Sequence, residues 1–296
     1  MDRIAAYEKR QMNISGFVSA VEKQSLVCEG IIVLQHGEKK AEYRWVPETP
    51  RNCFSISKSF VSVAAGMAAD QGRVSLSDRL ALFFPEITEG SELSGLTLEH
   101  LLTMTRGHGS FSRPATVAEA LSQPLAYRPG ERFVYDNGST FLASALFTRA
   151  AGITVRDFLL DALFRPLGME DPEWAESPDG HTTGATNLML TTSELARFGQ
   201  FLLQRGEWEG KRLVSAAWID SAGRPHVSTA GTHPEQDFGY GYSFWPGRYG
   251  TFRADGKEGQ FVIVFPRQNA VAAINSNEPK HYPILHAVWD EILPLL

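Results

Sequence analysis

Strand-like sequence stands at both ends of this chain, and a long helical stretch separates the two blocks. That order constrains the fold more than any other feature, because an isolated hairpin at either end would be marginal in water and needs further strands beside it. Near the N-terminus, "EGIIVLQHGEKKAEYRWV" reads as a hairpin: the apolar run from Ile31 to Leu34 meets Gly37, and alternation resumes through Tyr43 and Trp45. Near the C-terminus "GYGYSFW" alternates, "GQFVIVFP" reads as a buried strand, and "NAVAAINS" follows a short turn. The first dozen residues or so read as a helix, and the segment from Ser55 to about Gln71 reads as another, stopped by Gly72. Between Ser75 and about Ser221 the pattern is mostly helical. "STFLASALFTRAAG" ends on Gly152, "TVRDFLLDALFRPLG" starts on a capping Thr, and "TTSELARFGQFLLQRG" runs from a Thr or Ser cap to Gly206. "YPILHAVWDEILPLL" closes the chain with apolar residues at 284, 285, 288, 289 and 292, a helical stripe.

The economical architecture is an α/β (α+β) fold. One antiparallel sheet is formed by the N- and C-terminal segments, flanked by helices, with a mostly helical lobe inserted between them. Residues 1–60 and 230–296 are expected to form the sheet region and 61–229 the helical region, as one continuous catalytic unit with its site in the cleft between them. The chain has 296 residues, enough to bury a proper core, and its net charge of −6 leaves no electrostatic footprint for a nucleic-acid partner or a polybasic membrane anchor. No stretch approaches the length of a membrane span, and "MDRIAAYEKRQMN" lacks the apolar core of a signal peptide. With only two cysteines, Cys28 and Cys53, the expected setting is thiol-reducing and cytoplasmic. The eight histidines are scattered, with no His-Glu-x-x-His and no paired-cysteine spacing, so neither a metal nor another cofactor is expected. A Gly-x-Ser-x-Gly elbow is missing as well, which argues against an α/β-hydrolase.

Three short motifs carry the chemistry. Ser55 and Lys58 are spaced i, i+3, which puts both on one face at a helix start, where free N–H groups favour developing negative charge. A buried lysine there can take the serine's proton; for the motif alone a capping serine beside a snorkelling lysine is the plainer reading. In "PGERFVYDNGSTF", Tyr135 suits proton transfer and Asn137 suits holding an amide or the lysine, while an Asp-Asn-Gly turn with a packed aromatic is the plainer alternative. Lys257-Glu258-Gly259-Gln260 leads straight into "FVIVF", either as a strand edge facing a cleft or as a charged turn between strands.

Taken in order, the three motifs resemble those of the serine β-lactamase and penicillin-binding-protein superfamily: Ser-x-x-Lys, Ser/Tyr-x-Asn and Lys-Thr-Gly. Tyrosine in the second motif makes the chain similar to the class C branch and its family VIII-type esterase relatives. The likeness extends through "HLLTMTRGH", "YRPGERFVYDNGSTFLASALFTRAAGITVRDFLLDALFRPLGM" and "LMLTTSELARFGQFLLQRGEWEGKRLV", over roughly residues 25 to 295. It implies a β-lactamase/transpeptidase-like fold and a serine hydrolase acting through an acyl-Ser55 intermediate on a small ester or amide. A true β-lactamase or D-amino-acid peptidase is the alternative, and a non-catalytic sensor or binder is the alternative from another class. Under the resemblance Lys58 helps deprotonate Ser55, and Tyr135 relays the proton to the leaving group and later activates water. Asn137 orients Lys58 or the substrate. Lys257 keeps Tyr135 anionic or meets substrate charge, Gly259 permits close backbone approach, and the N–H groups of Ser55 and Gln260 form the oxyanion hole. Two departures stand out. Glu258 replaces the hydroxyl that would help bind a β-lactam carboxylate, and Arg106-Gly107 replaces the family's Ser-Gly, with His108 following as a helix-end histidine.

Overall fold

The computed structural model describes residues 11–87 and 90–296. The helix expected over the first dozen residues falls largely on residues 1–10, outside the described residues. Strands β1 (Cys28–Gln35) and β2 (Glu38–Arg44) form the N-terminal hairpin; it turns at Gly37, whose φ of 77° is left-handed. Two short pairs lie outside the main sheet: β3 (Arg51–Asn52) with β4 (Met189–Leu190), and β5 (Glu207–Trp208) with β6 (Lys211–Arg212). Near the C-terminus come β7 (Trp245–Pro246), β8 (Phe252–Gly256), β9 (Gln260–Phe265) and β10 (Ala270–Ser276). The main sheet is antiparallel in the order β2-β1-β10-β9-β8-β7. Ile32 lies opposite Ala273, and Ala273 opposite Val262, so the two ends of the chain join in the middle of the sheet.

The helices are α1 (Ser15–Lys23), α2 (Ser57–Asp70), α3 (Leu98–Leu102), α4 (Val117–Ser122), α5 (Asn137–Ala151), α6 (Val155–Leu159), α7 (Thr192–Leu203), α8 (Ala216–Ala222) and α9 (Tyr282–Ala287). Their starts follow the caps in the sequence: Thr97, Thr154 and Thr191 each accept a hydrogen bond from the backbone three residues on, and Glu194 completes a capping box with Thr191. Side chains alternate across each strand, so both faces of the sheet are apolar. Ile31, Val33, Phe261, Ile263 and Ile274 pack with Phe17 of α1 and with Ile284, Val288 and Trp289 of the closing helical segment. Ile32, Val262, Val264, Val271 and Ala273 face the other way and join one continuous core with the helical lobe, including Phe60, Leu146 and Phe198. Helix α7 lies directly on that face: a Cβ at Gly199 would stand 2.4 Å from Val271 Cγ1.

The alternating segment "GYGYSFW" does not form the expected strand. Trp245 and Pro246 pair with β8 and Tyr240 makes a single bridge to Val227, while Gly239 and Ser243 take left-handed φ values of 86° and 60° and fold the rest into turns. Its alternation reflects burial of Tyr240, Tyr242 and Phe244 at irregular backbone. Among the described residues no helix is long and apolar enough to cross a membrane.

Candidate active site

Ser55 lies in a single 3-10 turn, Phe54–Ile56, that leads directly into α2. Phe54 has a φ of 46°, a costly backbone for a bulky side chain. Its N–H donates to Asn52 Oδ1 at 2.8 Å, and Asn52 is fixed in turn by pairing with Met189. Strain is thus held immediately before Ser55 by the surrounding structure.

Lys58, one turn on, is fully buried. Its Nζ reaches Ser55 Oγ at 2.9 Å, Asn137 Oδ1 at 2.7 Å and the Ala185 carbonyl at 2.9 Å. Burial pushes the amine down to about 7; the Asp136 carboxylate works against that shift and the Arg113 guanidinium works with it. A neutral amine has two N–H groups and one lone pair, which matches two carbonyl acceptors and one hydroxyl.

Asn137 opens α5, and Asp136 caps that helix by accepting the Ser139 N–H at 2.9 Å. Asp136 is itself fully buried and paired with Arg106 Nε at 2.7 Å. The Arg106 guanidinium also reaches the Ala120 carbonyl at 3.1 Å and Gln123 Oε1 at 2.6 Å. The arginine that departs from the family pattern therefore clamps the cap beneath Asn137. His108 bonds the Pro124 carbonyl and is not on the cavity wall.

Tyr135 is half-buried, with Lys58 Nζ 5.0 Å from its ring centre. It stacks on Trp245 at 5.7 Å and meets Tyr240 edge-on at 6.1 Å. Burial pushes its hydroxyl pKa up; the Ser55 side chain acts the other way, and the Asp255 carboxylate raises it further.

A cavity of about 640 Å³ opens over these groups, lined by Ser55, Tyr135, Asn137 and Lys257 together with Asn52, Phe111, Arg113, Phe141, Glu176 and Asn187. Lys257 begins the tight turn between β8 and β9. Just before it, Gly256 passes so close to the chain preceding Ser55 that a Cβ there would stand 2.3 Å from the Cys53 carbonyl oxygen. The Lys257 side chain is mostly exposed and pairs with Glu258 Oε1 at 3.0 Å. Among the described residues neither the Ser55 N–H nor the Lys257 N–H donates to a protein acceptor.

Ser55, Lys58, Tyr135, Asn137 and Lys257 thus come together, whereas Glu258, Gly259 and Gln260 lie off the cavity wall. The reason is the turn itself. Glu258 and Gly259 have left-handed φ values of 68° and 78°, which reverse the chain right after Lys257. Glu258 points its carboxylate at Lys257, and Gln260 is buried in β9, paired with Gly256 and bonded through its side chain to Ser276. Sequence reasoning missed Asn52, Arg113 and the Ala185 carbonyl. A backbone acceptor far along the chain leaves no sequence signal, while Asn52 is an Asx-turn residue just ahead of Ser55 and was readable as such.

Residues 4–293 match the Beta-lactamase family. The β-lactamase of Escherichia coli (strain K12) is 28% identical over 177 residues, 53% of this chain and 46% of that protein. The match therefore spans less than half the length of that relative. The 6-aminohexanoate-dimer hydrolase of Paenarthrobacter ureafaciens is 22% identical over 290 residues, 85% of this chain and 73% of that one. Among solved structures, the octameric penicillin-binding protein homologue from Pyrococcus abyssi superimposes with a TM-score of 0.78 at 19% identity, covering 96% of this chain and 78% of that one. A class C β-lactamase gives 0.75 at 16% identity, covering 95% and 96%. Those identities show the fold, and the match along residues 4–293 shows that the chain belongs to the β-lactamase family.

Proposed function

We propose that the protein is a serine hydrolase that cleaves small esters or amides through an acyl-Ser55 intermediate. One observation carries the reading: a fully buried Lys58 amine, held at about 7, stands 2.9 Å from Ser55 Oγ. The neutral amine accepts the Ser55 proton as Oγ attacks the substrate carbonyl. The oxyanion that forms is met by the N–H groups of Ser55 and Lys257; Lys257 takes the place first expected of Gln260, because it lies on the cavity wall with its N–H unengaged. Tyr135, a neutral phenol, donates its proton to the departing alcohol or amine, and the Lys58 ammonium returns one to it. Water then attacks the acyl-Ser55 carbonyl with the same groups in reverse, releasing the acid and restoring Ser55.

A second reading is a β-lactamase or D-amino-acid peptidase. Arg113 and Lys257 on the cavity wall favour it, since both would attract a substrate carboxylate. A panel of short-chain p-nitrophenyl esters, D-amino-acid amides and nitrocefin tests the choice. Turnover led by the neutral esters supports the first reading, and turnover led by nitrocefin or the amides supports the second.

A further inference from the structure

The turn that presents Lys257 is bonded from outside its own hairpin. Glu258 sits at a φ of 68°, a region that a residue with a Cβ adopts at a cost. Two bonds tie the turn to the segment following β10: the Glu278 N–H donates to the Glu258 carbonyl at 2.9 Å, and the Gly259 N–H donates to His281 Nδ1 at 3.0 Å. His281 is itself left-handed, with a φ of 62°. Because its Nδ1 accepts, the ring's proton belongs on Nε2, which lies 2.8 Å from Asp255 Oδ1. Asp255 is the residue immediately before Gly256 and accepts from Arg253 Nε at 2.8 Å. A closed path runs from the end of β8 through Asp255 and His281 to Gly259, and it spans Gly256, Lys257 and Glu258 from behind. No cavity-lining residue is part of it.

We propose that Asp255 and His281 form a brace that fixes the β8–β9 turn so that the Lys257 N–H points to the oxyanion of the Ser55 reaction. Both are positioning residues: neither touches the substrate, and each acts through the backbone between Gly256 and Gly259. The inference rests on the acyl-Ser55 reading above. It goes beyond it in assigning a function to an Asp–His pair, Asp255 buried and His281 half-buried, that the proton transfers do not use.

The brace makes a distinctive demand on substitutions at His281. Asparagine tolerates a left-handed φ and can place an acceptor near the position of Nδ1, so it keeps the bond to Gly259. Glutamine reaches the position of Nε2, keeps the bond to Asp255 and loses the one to Gly259. The experiment compares His281→Ala, His281→Asn and His281→Gln on a p-nitrophenyl ester, with thermal unfolding and fluorophosphonate labelling of each. A misaimed donor is lost in the transition state and not in the substrate complex. His281→Ala and His281→Gln should therefore lose about ten- to a hundredfold in kcat with KM within about twofold. His281→Asn, which keeps the Gly259 acceptor and gives up the Asp255 contact, should recover in part, to a loss of about three- to tenfold. Unchanged kcat in His281→Ala overturns the brace while leaving the labelled serine intact. Equal rate losses in the asparagine and glutamine variants, tracking an equal fall in melting temperature, also overturn it, because that pattern marks a merely structural residue. A parent enzyme that takes no label at Ser55 overturns the acyl-serine reading and the brace with it.

Discussion

Lys58, with no exposed surface, reaches Ser55 Oγ, Asn137 Oδ1 and the Ala185 carbonyl, and among the described residues the only hydroxyl bonded to its amine is that of Ser55. The first consequence is a pH profile. If the neutral Lys58 amine accepts the Ser55 proton, kcat/KM for an uncharged ester should rise as pH passes through about 7 and then level off. A profile flat from pH 5 to 9 contradicts this assignment.

The same burial has a stability signature. The amine lies near 7 in the folded chain and at its ordinary 10.5 in the unfolded one, so between those values the unfolded chain binds more protons. Stability attributable to Lys58 therefore rises with pH from about 7 to 10.5 and is lowest below 7. Lys58→Met should remove a penalty of up to roughly 5 kcal/mol below pH 7, less the lost bonds to Asn137 and Ala185, while cutting activity by about 10²–10⁴. Thermal unfolding at pH 6 and pH 10 checks it: the variant's advantage should shrink at the higher pH.

Tyr135→Phe should reduce kcat by about 10²–10⁴ for an alkyl ester, whose leaving group needs a proton, and by less for a p-nitrophenyl ester, whose leaving group departs as an anion. Equal losses on the two substrates would remove Tyr135 from the leaving-group step.

Arg106 and Asp136 are both buried, so removing one partner strands a charge. Arg106→Ala should lower stability by about 3–5 kcal/mol, measured by urea unfolding. A loss below about 1 kcal/mol would show that water or a neighbour compensates Asp136.

Glu258 acts through Lys257, since its carboxylate faces that ammonium and not the cavity. Glu258→Thr should free Lys257 and raise nitrocefin turnover relative to a neutral ester only about two- to fivefold, the scale of an exposed ion pair. A rise of several hundredfold would mean that Glu258 meets the substrate directly, and no rise would mean that Lys257 does not.

The fold was legible because its determinants are local and periodic. The apolar runs Ile31–Leu34 and Phe261–Phe265, bounded by turn residues, and the caps at Thr154 and Thr191 specify their elements whatever surrounds them. The contact between Ser55 and Lys58 was legible because their i, i+3 spacing puts both on one face; the roles proposed for them and for Tyr135 and Asn137 came from the resemblance. The third motif was not. Whether a Gly-Lys-Glu-Gly segment runs on as a strand edge or reverses at once depends on left-handed angles at Glu258 and Gly259, and these are held by His281 and Glu278 from beyond β10. Tertiary contacts of that kind leave no periodicity, so the sequence does not tell that Lys257 and not Gln260 lines the cavity. "GYGYSFW" failed for a related reason: burial of its aromatics imitates a strand, while the backbone turns at Ser243.

If Ser55 is the nucleophile activated by Lys58, intact-mass spectrometry after reaction with a fluorophosphonate should show one adduct per chain, located by peptide mapping to the peptide containing Ser55, forming faster as pH rises through about 7 and absent from Ser55→Ala. A chain that takes no adduct, or a Ser55→Ala variant that still labels and turns over ester, contradicts that role for Ser55.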